Sequence, residues 1–151
     1  MRLGFKGISD HDIEIFVRDI NDFMKKINFF HDCCIKELKY SSGAYVNNRY
    51  EMYPVNDKRI LNVAFQCQSE ENGMFELEFQ GLKYLKLLPL DETYTCEILD
   101  ATMFMQNELI YWCDCGGLSE ADLDDYMGTV ICAEKLRWRS IINHMGDREF
   151  Y

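Results

Sequence analysis

Two stretches of this chain alternate apolar and polar residues with a period of two, and that pattern restricts the fold more than any other feature. Within 59–68, Leu61, Val63, Phe65 and Cys67 share one face, while Asn62, Gln66 and Gln68 share the other. Within 74–80, Phe75, Leu77 and Phe79 point one way and Glu76, Glu78 and Gln80 the opposite way. Successive side chains of a strand leave opposite faces, so both stretches read as strands with one dry and one wet face, as antiparallel sheets allow. Parity constrains the link between them. A two-residue Asn72-Gly73 turn would set Cys67 against Glu78 and mix the faces. Three or five loop residues restore agreement, placing Cys67 opposite Phe79 or Leu77. A bulged or longer loop is therefore predicted.

The rest of the chain supplies further strands and two helices. Ser9-Asp10-His11-Asp12 is close to a capping box. It opens a predicted amphipathic helix of about 17 residues, with Ile13, Phe16, Val17, Ile20, Phe23, Met24 and Ile27 on one face and Lys25-Lys26 in the last turn. Strands are expected at 33–40, more weakly at 44–51, and at 82–88 after a break at Gly81. A hairpin is expected from 96–105 and 109–115. Pairing Met105 with Leu109 there sets Thr102 opposite Trp112 and Asp100 opposite Asp114. Ser119-Glu120-Ala121-Asp122 repeats the helix-start pattern for a short helix to about Met127, stopped by Gly128. A last strand covers 130–139, with Leu136 and Trp138 on one face and Lys135, Arg137 and Arg139 on the other. Residues 143–151 read as a loose tail.

The expected fold is therefore α+β and single-domain over 1–151. It has an antiparallel sheet of about six to eight strands, curved or barrel-like, with the long N-terminal helix on its apolar face and the short helix near 119–127.

Charge narrows the partners. The net charge of −10 argues against nucleic acid, which needs a basic face. The acidity is regional. Between 87 and 134 there are eleven acids and no Lys or Arg, whereas the remainder holds 15 acids and 16 bases. Such a block is either a solvated face or one that attracts a basic partner or a cation. No apolar run of signal-peptide or membrane-spanning length occurs in the sequence, which leads to a cytoplasmic expectation and none of membrane insertion. The odd count of seven cysteines suits buried thiols better than a disulfide framework.

Few residues carry chemistry. Opposed carboxylates at Asp100 and Asp114 would hold a hard cation or share a proton, unless both point into water. Glu120, Asp122, Asp124 and Asp125 resemble a ligand cluster, but their spacing does not fit an EF-hand loop, and acids in a first helical turn favour the dipole in any event. Cys113-x-Cys115 and His31-x-Cys33-Cys34 lack the paired spacing of structural zinc. His31 and Asp32 form an acid/base or hydrogen-bonding unit, or simply cap the helix-to-strand junction. Leu136-Arg137-Trp138-Arg139 mixes basic and aromatic residues, but its basic face is expected to meet neighbouring acids or water. No nucleophile elbow or phosphate loop is present. No catalytic residue, metal or cofactor is assigned.

Phe30-His31-Asp32 before a strand, then Glu76-Leu77-Glu78-Phe79-Gln80-Gly81-Leu82 followed by Leu85 and Leu87, is similar to a pattern in small bacterial proteins, several of them uncharacterised or grouped with immunity proteins of toxin systems. The resemblance covers about 30–112 and implies a non-enzymatic β-rich domain that binds and blocks a toxin.

The expected function is a cytoplasmic protein-binding module, immunity-like, that presents the acidic face of 87–134 to a basic partner, with Trp112 as an anchor. The alternatives are a small metal-dependent hydrolase using Asp100 and Asp114, and a structural or oligomer-forming protein without a ligand.

Overall fold

The computed structural model describes residues 19–151. Its strands are β1 (Cys33–Ser41), β2 (Tyr45–Val46), β3 (Met52–Tyr53), β4 (Ile60–Cys67), β5 (Met74–Lys86), β6 (Thr102–Gln106), β7 (Leu109–Cys113) and β8 (Val130–Ser140). Six form one antiparallel sheet in the order β1-β4-β5-β8-β7-β6, and β2 and β3 make a separate hairpin. The segment before β6 meets the free side of β1. Ile98 N–H donates to the Cys33 carbonyl at 2.7 Å, and Asp32 N–H to that of Ile98 at 2.9 Å.

The α+β reading with a long N-terminal helix is corrected to a mostly antiparallel β architecture. The capping-box start at Ser9, together with Ile13, Phe16 and Val17, lies outside the described residues. Within them α1 (Ile20–Lys26) has only seven residues, because the Asp19 backbone (φ −130°, ψ 63°) is not helical. It ends where Asn28, Phe29 and Phe30 all take positive φ, a reversal that drops the Phe30 ring into the core. There Phe30 packs on Phe65, Phe75 and Trp112 at 4.9–5.5 Å, and Phe23 on Trp138 at 5.5 Å. The second expected helix is a single 3₁₀ turn, Glu120–Asp122, with its Ser119–Asp122 capping box in place. Glu120 and Asp124 would sit as like charges one helical turn apart, which opposes continuation.

Alternation fixed the dry face of the central strands correctly. Leu61, Val63 and Phe65 oppose Phe79, Leu77 and Phe75, and all six are fully buried. The connecting loop is long, with Gln66 paired to Met74, so the faces agree although Cys67 opposes neither Phe79 nor Leu77. The wet face is corrected: Asn62, Glu76 and Glu78 are buried too. β8 places Arg139 opposite Glu76 and Arg137 opposite Glu78. Arg139 Nε donates to Glu76 at 2.8 Å and an Arg137 terminal nitrogen to Glu78 at 3.1 Å. Gln80 and Asn62 also donate to Glu78. Residues 143–151 close this face rather than hanging loose. The Phe150 and Tyr151 amides donate to the Glu37 carboxylate at 2.7 and 3.1 Å, and the Tyr151 hydroxyl to Glu76 at 2.5 Å.

Two turn details also depart from expectation. Gly81 does not end a strand. At φ +64° it lets β5 run on, and a Cβ there would come within 2.5 Å of Glu134. The β6–β7 hairpin pairs Gln106 with Leu109 across Asn107-Glu108, both at positive φ, as a two-residue primed turn requires. Glu108→Gly is expected to stabilise the protein by about 1 kcal/mol, because glycine adopts this backbone without the Cβ clash; thermal denaturation measures it.

Candidate functional site

The one-residue change in that register dissolves the predicted carboxylate pair. Met103 opposes Trp112 and Thr102 opposes Cys113, so Asp100 and Asp114 are not cross-strand partners. Asp114 is a hub. The Tyr94 and Tyr126 hydroxyls donate to its two oxygens, and Thr129 N–H donates to it at 3.1 Å. Burial, and then the bond to the carboxylate, push both phenols well above the ordinary tyrosine range. They stay protonated donors, and the hub ties 91–94 and 126–129 to the end of β7. Beside it lies a cavity of about 160 Å³, lined by Ile35, Leu38, Leu87, Leu90, Ile98 and Tyr94 among others. Tyr94 and Tyr126 were not singled out in the sequence, since neither has a local spacing that links it to Asp114.

Asp100 belongs to another group. Its side chain is exposed, and Oδ1 lies 3.9 Å from His31 Nδ1. The same nitrogen is 2.5 Å from the Leu99 carbonyl oxygen, so Nδ1 carries the proton and donates. His31 Nε2 faces Asp32 at 3.4 Å. His31, Asp32 and Asp100 are thus brought together at the seam where the segment before β6 meets β1. The Leu99 bond, followed by the Asp32 charge, holds the His31 imidazolium pKa above its usual 6.5. A raised histidine pKa gives stability that is complete below the unfolded-state value and is lost as pH rises through the higher folded value. His31→Gln is expected to remove that pH dependence. Paired NMR titration of the imidazole and denaturation against pH check both halves.

The other predicted residues scatter. Trp112 is fully buried between Phe30 and Phe65, so it anchors the core and not a partner. Its indole N–H has no hydrogen-bond acceptor among the described residues. Glu120, Asp122, Asp124 and Asp125 are all exposed. Asp122 is the capping-box acid, and the Ser119 bonds lower its pKa. No group of three or more His, Cys, Asp or Glu side chains suited to a metal ion occurs among the described residues. No described helix is long and apolar enough to cross a membrane. Cys33 and Cys67 are joined as a disulfide, which corrects the expectation of buried thiols at those two positions, and Cys96 and Cys115 are free but exposed.

The feature that sequence reading missed is the β2–β3 hairpin. Tyr45, Val46, Tyr50, Met52, Tyr53 and Val55 are all exposed, Tyr50 at 91%. Tyr45 stacks on Tyr53 with ring centres 4.8 Å apart. Asn47 makes the turn, its side-chain oxygen accepting from the Arg49 and Glu51 amides. The sequence does carry a signal for it: Asn47-Asn48 is turn chemistry inside the 44–51 strand candidate.

No protein family, no curated protein and no solved structure matches this chain. The partial likeness to immunity proteins therefore rests only on the short segments quoted above.

Proposed function

We propose that the protein is a binding module for a basic protein partner. The observation that carries this reading is the β2–β3 hairpin. A two-stranded ribbon outside the main sheet gains little stability of its own, yet it displays three tyrosines and a methionine to water. Tyrosine, methionine and arginine are the residues that partner surfaces favour, and here Arg49 lies between them. The sign of the partner follows from 87–134, where Glu92, Glu97, Glu108, Glu120, Asp124 and Asp125 are exposed with no Lys or Arg in the segment. Long-range attraction by these acids would speed encounter, and the aromatic hairpin would hold the contact. An immunity-like protein covering a basic toxin is one form of this function.

Substituting Tyr50 and Tyr53 together by serine is expected to weaken the captured partner by about tenfold or more through faster dissociation. Changing Glu120, Asp124 and Asp125 to Gln or Asn is expected to slow association and flatten its salt dependence. Surface plasmon resonance with a partner captured from the source cells' lysate separates the two effects. Binding that ignores both sets of substitutions, or a partner that proves to be a second copy of the chain, would overturn the proposal.

A further inference from the structure

The remaining chemistry is in sulfur. A surface cavity of about 430 Å³ is lined by Cys33, Cys34, Cys67, Cys96, Glu97 and Met145, with flanking polar residues. Cys33 and Cys67 are already joined, whereas Cys34 and Cys96 are free thiols. Both side chains line this one cavity, near enough for Cys96 to act on the ionisation of Cys34. The backbone holds them there: Cys34 follows the residue that bridges Ile98, and Cys96 precedes Ile98 by two positions. Two thiols that line one cavity, on segments tied together by main-chain hydrogen bonds, can meet through side-chain rotation and a small shift of the 94–98 segment.

We propose that Cys34 and Cys96 form a dithiol site that small-molecule disulfides such as glutathione disulfide convert into a second intramolecular disulfide. The two thiols have different roles. Cys96 is exposed, while burial raises the pKa of the half-buried Cys34, so Cys96 reacts first. Its thiolate, having released a proton to solvent, attacks one sulfur of glutathione disulfide and breaks the S–S bond. One glutathione leaves and takes up a proton, and a mixed disulfide remains on Cys96. Cys34 then loses its proton and attacks the Cys96 sulfur, expelling the second glutathione, which is protonated in turn. Two protein thiols are oxidised to one disulfide and one glutathione disulfide is reduced to two glutathiones. The protein loses two hydrogen atoms.

The product has a structural reach. Tyr94, Thr95, Cys96, Glu97 and Ile98 also line the apolar cavity beside Asp114, so oxidation would pin one wall of that cavity to β1.

The test treats the Cys115→Ser protein, which lacks the other exposed thiol, with glutathione disulfide and reads intact mass and non-reduced peptide maps. The expected result is loss of two hydrogens, a Cys34–Cys96 cross-linked peptide and no retained glutathione. Adding Cys34→Ser is expected to trap glutathione on Cys96, at least about tenfold above the level without it. Adding Cys96→Ser instead should leave Cys34 unmodified. In the protein that keeps both Cys34 and Cys96, amide exchange over 94–98 is expected to slow about tenfold on oxidation. Glutathione retained equally with and without Cys34, thiols that both stay free, or a cross-link from either to Cys33 or Cys67 would overturn the proposal.

Discussion

Arg137→Met alone is expected to lower stability by about 3–5 kcal/mol, a large part of the roughly 5–15 kcal/mol that holds a domain together. Much of the cost arises at Glu78, the buried partner of the arginine. Glu78 is 1% exposed, and its charge is offset by the guanidinium 3.1 Å away. Without that cation the carboxylate keeps, among the described residues, only amide donors from Asn62 and Gln80, which carry no charge. Adding Glu78→Gln removes the stranded charge while retaining groups that can bond those amides. The double variant is therefore expected to recover most of the loss. Urea denaturation of the two single variants and the double variant gives the coupling, and an additive pair would show that the ion pair is not buried as described.

Reducing the Cys33–Cys67 disulfide, or replacing both cysteines by serine, is expected to cost about 4 kcal/mol. The bridge closes a loop with a sequence separation of 34, and the chain-entropy relation for a loop of that length gives the figure. Thermal denaturation with and without reductant measures it on the unmodified protein. The effect should fall mainly on the β1–β4 edge, because the bridge joins directly paired residues there.

Strand identity was legible where one face is dry. Leu61, Val63, Phe65, Phe75, Leu77 and Phe79 announce β4 and β5, and parity alone excluded the tight Asn72-Gly73 turn. The second face was not legible. Alternation says that Glu76 and Glu78 oppose the apolar side, but not that arginines 59 to 63 residues later will be set against them and the C-terminal residues laid over them. Long-range pairing leaves no local trace. The β6–β7 register failed for a different reason. Asn107-Glu108 lacks the glycine that usually announces a primed turn, so a three-residue loop was the better reading of those residues. That single step removes the direct cross-strand opposition of Asp100 and Asp114 that the expected register gave them. The disulfide was hidden because Cys33 and Cys67 lie in strand-like runs where a cysteine serves equally well as a small apolar residue. The exposed acids of 87–134 and the charge boundary around them were plain from composition, but the hairpin was not.

The central place of β5 has a consequence for synthesis. One of its edges finds β4 as soon as the intervening loop is made, but the other waits for β8, which begins only at Val130. While the ribosome adds the residues between, Phe75, Leu77 and Phe79 sit on a strand with an open edge, the condition under which chains misassociate. Late closure of the sheet by its last strand makes the nascent chain, more than the finished protein, the state with an unpaired edge beside these apolar side chains.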